Sequence, residues 1–365
     1  MPYIHAVLFF VLGALVSGWL NRLIFRLPRG LALNGPSHCM HESCKHPLSL
    51  NEQLPLVSYF TLDRKCAHCQ KRIAPRYFWV ELITALGFAA VGYAFPITLY
   101  PVVTLLSCLI VATLVVFAVI DFETRTIEFK QVLLLVPLGL LTVCLGGVLY
   151  PALHFPSVLN ALQAMCLGAG GFVLANNYGS WVMRAFKEPR FPEHPIGFMT
   201  VNVAAVVGAA FGVWWGAGAV VLLVALNLIF KRVVRIPDFL TLPALLVVVV
   251  LSLENNYFTH PQTVLNALTS AGIAVLAQAL YWSTRELIDD DQFDPIAVGF
   301  GDVMLAAVMG AFLGITGLWK GMIVMAVTGI FFGLLSRVVF KEKQLPLAPF
   351  ITCGIVVALV MHWYV

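Results

Sequence analysis

Apolar runs long enough to cross a bilayer recur from one end of this 365-residue chain to the other, and they leave few folds open. A helical span needs roughly 20 mainly apolar residues. Runs of that length or somewhat less predict about twelve transmembrane helices: 4–25, 77–97, 100–120, 132–153, 158–183, 199–214, 216–230, 239–253, 263–284, 300–316, 319–337 and 348–364. With 60% hydrophobic and 11% charged residues and a mean hydropathy of +0.91, a soluble globular domain is excluded. The expected class is an all-α polytopic membrane protein with the lipid bilayer as its surroundings. The first run is followed by Asn21-Arg22 and Arg26 rather than by small residues, so it reads as a retained anchor and not a cleaved signal. The net charge of +4 is small and the bases are scattered, so no nucleic-acid partner is expected.

The bases carry orientation instead. Threaded through twelve helices, 21 of the 22 Lys and Arg residues fall on one side of the membrane, Lys320 being the exception. The excess of bases in short loops marks that side as the cytoplasm. Omitting one span would scramble the pattern, so the parity supports the count. A multi-pass protein of the bacterial inner membrane, with both termini facing away from the cytoplasm, is expected.

Part of the chain repeats. Val158-Leu-Asn-Ala-Leu162 recurs as Val264-Leu-Asn-Ala-Leu268. Gly197–Gly212 aligns without gaps on Gly299–Gly314, with nine of sixteen positions identical. Extending the register pairs the helix ending at Ile120-Asp121 with the one ending at Ile229-Phe230. Each copy then spans about four helices, an even number, so the copies lie parallel in the membrane, unlike an inverted-repeat transporter. The expected units are an anchor (1–25), a cytoplasmic Cys-rich loop (26–76), repeat one (77–214), repeat two (215–316) and a helical hairpin (317–365).

The copies differ where chemistry is concerned: the first has Asp121 but Thr200, the second Phe230 but Asp302. A carboxylate at membrane depth costs at least about 2.5 kcal/mol and calls for a partner or a purpose. Two carboxylates brought together share a proton and work as base and acid, the principle of an aspartic protease. Gly299 and Gly301 beside Asp302 give an extended substrate backbone room to approach. The structural alternative makes Asp121 a polar helix end and Asp302 a first-turn acid favoured by the helix dipole. Other acids read as bland: Asp289, Asp290, Asp291 and Asp294 as a solvated cluster, Glu123 and Glu128 as interfacial, and Asp238 as a helix cap after Pro237. Glu81 lies inside an apolar run and is expected to pair with a base near Arg76 or to line a polar cleft.

Of the eight cysteines, four lie in apolar runs and four in the polar loop. Cys66-Ala-His-Cys69 has the two-residue spacing of a zinc knuckle, and a second knuckle is expected upstream. Two ligand sets stand open: Cys39, Cys44, Cys66 and Cys69, or the same with His41 in place of Cys39. Softness favours Cys39 and spacing favours His41. Either would be a structural zinc site folding a loop with little core of its own, whereas His38, His46 and His68 read as surface residues.

These residues together resemble the prepilin peptidases, the type IV prepilin leader peptidase/N-methyltransferase family of GxGD membrane aspartic peptidases. The likeness runs through Gly13–Pro28, Cys44-Lys-His-Pro47, Leu54–Tyr59, Cys66-Ala-His-Cys69, Ile73–Leu82, Ile120-Asp121, Gly299-Phe-Gly301-Asp302 and Leu345–Phe350. It implies removal of the basic leader of type IV prepilins or pseudopilins, after a glycine and at the cytoplasmic face, by Asp121 and Asp302. It also implies methylation of the new N-terminus with S-adenosylmethionine, accompanied by the zinc loop. The chain departs from the family pattern in having His41 where the first knuckle usually has cysteine and Met304 where lysine usually follows the second aspartate. It also carries about four additional helices. The Ile236-Pro-Asp238-Phe-Leu-Thr241 run, which normally follows the first aspartate, follows Phe230 instead. The rival to a peptidase is a non-catalytic relative that serves as a binding or assembly factor in a pilus or secretion system, with its split carboxylates never meeting.

Overall fold

In a computed structural model of the chain, the apolar runs form helices because the bilayer offers backbone amides no partner outside the helix itself. The structure describes residues 2–32, 38–39, 44, 46–49, 51–125, 127, 129–188, 196–231, 233–253, 259–284, 297–339 and 346–361. The helices are α1 (Pro2–Arg26), α2 (Val57–Thr61), α3 (Pro75–Ala94), α4 (Pro101–Thr124), α5 (Phe129–Leu133), α6 (Leu135–Leu149), α7 (Val158–Met183), α8 (Phe198–Phe211), α9 (Val213–Phe230), α10 (Asp238–Leu251), α11 (His260–Ser283), α12 (Phe300–Val339) and α13 (Ala348–Val360). Among the described residues the only strand-like pairing is two isolated bridges, His38 with Pro47 and Lys65 with Arg72.

Eight helices are long and apolar enough to cross a membrane, and α8, α10 and α13 are shorter apolar ones. The longest, α12, is two helices meeting at Gly314, whose φ of 65° and ψ of −174° break the helix. Counting its limbs separately gives twelve apolar helices among the described residues, matching in number the twelve transmembrane runs expected, with α8, α10 and α13 shorter than a full span. Helix starts are marked locally. Pro75, Pro101 and Pro349 stand in first turns, where a missing N–H costs nothing. Ser157 accepts the Asn160 N–H at 3.2 Å, and Thr259 with Gln262 forms a capping box.

The expected copies interlock. The first limb of α12 runs antiparallel along α7, and the approach is close enough that a Cβ at Gly310 would strike the Ala164 carbonyl and one at Gly168 the Ala306 carbonyl. Small residues bring backbones this near where lipid offers no hydrophobic drive for association. The same limb lies on α6, while α8 lies on α10 and α11. Each copy's fourth helix therefore packs on the second and third helices of the other copy. Two further correspondences fit a duplication. Gly212 and Gly314, aligned in the repeat, both have positive φ and turn the chain into the next helix. Gly272 packs on the Cys166 backbone, its own counterpart at an offset of 106 residues, as a two-fold relation between copies requires.

Asp238 does not cap α10 as expected. Glu188 does so, accepting the Asp238 and Phe239 N–H groups at 2.9 and 3.1 Å. The Asp238 side chain instead turns inward, pairing with Arg184 at 3.1 Å and accepting from Asn202 at 3.0 Å. Removing one partner of a buried ion pair strands the other charge. Arg184→Met is therefore expected to destabilise the protein by about 3–5 kcal/mol, read as a lower unfolding temperature in detergent, with Arg184→Met/Asp238→Leu recovering much of the loss. An unchanged unfolding temperature in Arg184→Met would mean that the pair carries no such weight.

Candidate functional site

Asp121 stands one turn before the end of α4, where Arg125 adopts a left-handed conformation and donates its N–H to the Asp121 carbonyl at 2.9 Å. The side chain is 6% exposed and its Oδ2 accepts the Ala348 N–H at 3.1 Å, with the Leu347 N–H beside it. The start of α13 thus meets Asp121 with the positive end of a helix. This contact explains in physical terms the Leu345–Phe350 stretch singled out in the sequence, although Leu345 itself lies outside the described residues.

Asp302 lies in the first turn of α12, its N–H bonded to the Gly299 carbonyl at 3.0 Å. It is half-buried, and the Gly299 amide is directed at its carboxyl. Its Oδ1 has no hydrogen-bond partner among the described residues. Asp302 is within electrostatic reach of Asp121, so the structure brings the acid of the first copy to the acid of the second. Their former counterparts do not join them: Thr200 is on α8 and Phe230 ends α9, two helices that pack on each other. The glycines divide their tasks. Gly299 is exposed, and a Cβ there would press on Asp302 Oδ2 at 3.2 Å. At Gly301 the space is filled from within, since a Cβ would lie 2.8 Å from the Ile127 Cβ.

Sequence reasoning missed three contributors: Ile127, the Leu347–Ala348 amides and Asn176. Asn176, on α7, accepts the Ala297 and Val298 N–H groups just before Gly299. An asparagine in an apolar helix was the available signal.

The Cys-rich loop joins the site through α3. Arg76 bonds both oxygens of Glu123, two residues beyond Asp121, at 2.8 and 2.6 Å. Of the two roles expected for Glu81, pairing with a base is not seen among the described residues; it accepts the Leu56 N–H at 2.7 Å and so holds the start of α2. Glu128, His41 and the Asp289, Asp290, Asp291 and Asp294 cluster lie outside the described residues.

The four loop cysteines Cys39, Cys44, Cys66 and Cys69 converge, their sulfurs all within 4.8 Å of one another and Cys39 Sγ 3.9 Å from Cys69 Sγ. A tetrahedron with Zn–S bonds near 2.3 Å has sulfur–sulfur edges of about 3.8 Å. The donor set therefore fits zinc. Burial pushes the Cys66 thiol up, but the Cys69 and His68 N–H groups and the neighbouring sulfurs outweigh it and bring it down to about 7. A thiol so poised gives up its proton readily to a metal. His46 and His68 are exposed and stack on each other, with ring centroids 3.3 Å apart.

Fold and site define a multi-pass helical membrane protein with two aspartates gathered at one end of the bundle and a four-cysteine loop tied beside them. Among known families, the bacterial peptidase A24 N-terminal domain matches residues 11–95 and the type IV leader peptidase family matches 219–338, together more than half of the chain. A prepilin leader peptidase/N-methyltransferase of Neisseria gonorrhoeae is 27% identical over 250 residues, covering 62% of this chain and 79% of the relative. One of Aeromonas hydrophila is 29% identical over 251 residues with the same coverage, and one of Myxococcus xanthus is 35% identical over 172 residues, 47% of each chain. No solved structure matches. The chain belongs to the prepilin leader peptidase family. Asp302 falls inside a matched interval, whereas Asp121 lies between the two.

Proposed function

We propose that this protein removes the leader of type IV prepilins or pseudopilins as a membrane aspartic endopeptidase, cutting after a glycine at the cytoplasmic face of the bacterial inner membrane. The observation that carries the reading is the approach of Asp302, from the second copy, to Asp121, from the first. The same observation supports a tandem duplication, with repeats at 77–214 and 215–316 contributing one acid each.

Asp121, whose Oδ2 already takes an amide hydrogen, is the base; Asp302, with an unbonded Oδ1, is the proton donor. Water loses a proton to Asp121 and attacks the scissile carbonyl carbon, while Asp302 gives a hydrogen to the carbonyl oxygen. Collapse of the tetrahedral intermediate breaks the carbon–nitrogen bond as the proton on Asp121 passes to the leaving amine and a hydroxyl proton of the intermediate returns to Asp302. Gly299, exposed beside Asp302, gives the extended leader its approach.

Cys39, Cys44, Cys66 and Cys69 would hold a structural zinc that ties the loop together. S-adenosylmethionine, which would supply a methyl group for the new terminal amine, enters this reading through the family alone. Incubating the protein in lipid with a prepilin and S-adenosylmethionine, followed by mass measurement, tests both activities. Loss of the leader mass and gain of one methyl group are expected. An unaltered substrate would leave the chain a non-catalytic binding or assembly factor.

A further inference from the structure

The turn that delivers Asp302 hangs on a side chain of the other copy. Asn176 of α7 is 5% exposed and its Oδ1 receives three donors: Ser180 Oγ at 3.1 Å, Ala297 N–H at 3.1 Å and Val298 N–H at 3.0 Å. Ser180 Oγ also lies 3.2 Å from the Ala297 nitrogen. The part-buried Ala297 and Val298 N–H groups find their acceptor in this side chain, and an amide oxygen is the only part of asparagine that can serve. Gly299 follows at once, and Asp302 three residues later. The counterpart of Asn176 in the second copy, at the same distance beyond the Val-Leu-Asn-Ala-Leu motif, is Trp282. Its indole packs against Phe198 and Phe300 and offers no amide acceptor. The residue of the second copy that faces the Thr200 turn thus offers no such acceptor.

We propose that Asn176 is the positioning residue for Asp302, fixing the Gly299–Asp302 turn at the height where its carboxyl meets Asp121; this rests on the peptidase reading above. The next residue supplies a matched control. Asn177 is 6% exposed and donates to Asn202 at 2.7 Å, on the side of α7 that faces α8 and the Arg184–Asp238 pair. Two adjacent asparagines, equally buried, serve opposite halves of the molecule.

The test compares leader cleavage by the full-length protein in lipid. A misplacement of about 1 Å at a reacting group costs on the order of 100-fold. Asn176→Ala is therefore expected to lower kcat about 100-fold with KM for the prepilin little changed, and Asn176→Asp, which keeps the acceptor, to recover most of it. Asn177→Ala is expected to lower the unfolding temperature while kcat stays near wild type. Adding Asn176→Ala to Asp302→Asn should cost nothing further, since the carboxyl it places is gone. Should Asn176→Ala fail to accumulate, Asn176→Gln, which moves the acceptor outward by one methylene, is expected to show the same kcat loss. Wild-type kcat in the Asn176 variants, or an equal loss in Asn177→Ala, overturns the assignment. A wild-type protein that leaves the prepilin uncut brings down the peptidase reading itself, and this inference with it.

Discussion

Asp121→Asn and Asp302→Asn are each expected to reduce leader cleavage by about 100- to 10,000-fold, while both variants insert and accumulate in the membrane. Asparagine keeps the shape of aspartate and removes a charge that is costly at this depth, so the loss cannot be laid to folding. On the two-aspartate reading the acids work as a unit, and the double variant should be no worse than the poorer single one. The duplication supplies a sharper control. Thr200→Asp added to Asp302→Asn restores an acid at the aligned position, but on α8, which packs with α9, α10 and α11. No rescue is expected, because the new carboxyl lies among the helices of the other half and not beside Asp121. Prepilin processed at the wild-type rate by either Asn variant would end the two-aspartate mechanism.

Removing the metal is expected to have the largest structural effect. Between Arg29 and Pro75 the only apolar side chains buried among the described residues are those of Cys39 and Cys66, so the loop has almost no core apart from its thiols. Structural zinc contributes about 10–16 kcal/mol in comparable small sites, far more than two isolated bridges and one capped turn can supply. Chelation, or Cys66→Ser, should therefore open the loop to trypsin at Arg64, Lys65, Lys71 and Arg72 and leave the membrane helices protected. Metal analysis should return one zinc per chain in the wild type. Acidification should release the metal, because protons compete with it for the four thiolates. Methyl transfer is expected to suffer more than cleavage, because α4, α12 and α13 frame the aspartates without the loop. A chelated protein as resistant to trypsin as the untreated one would mean that no metal holds these thiols.

Much of this was legible before any coordinates. Hydropathy and the one-sided distribution of bases are read along a single helix and its ends, so twelve segments emerge from both views. The cysteine knuckles were legible as a pair, but softness pointed to Cys39 and spacing to His41; the loop brings the Cys39 sulfur to the other three. Misreadings fell where a side chain chooses among distant partners. Glu81 had a base five residues away, yet the part-buried Leu56 amide, which has no helical partner of its own, took it. Asp238 sat at a helix start, yet Glu188 satisfied that end and released Asp238 to Arg184. Asn176 acts on residues more than a hundred positions away, and nothing in its own helix announces them.

Membrane residence and the run of apolar helices follow from patterns of local range, apolar length and charge at helix ends, and motif recurrence is what singles out the proposed copies and the two candidate acids. Which half of each copy survives as a partner for the other is a matter of packing. The answer turns on surfaces such as Gly168 and Gly310, where a missing Cβ lets α7 and α12 approach backbone to backbone. Close contact of that kind depends on the relative rotation of two helices far apart in the chain. It is what sets the first limb of α12, with Asp302 in its first turn, against α7 and α6.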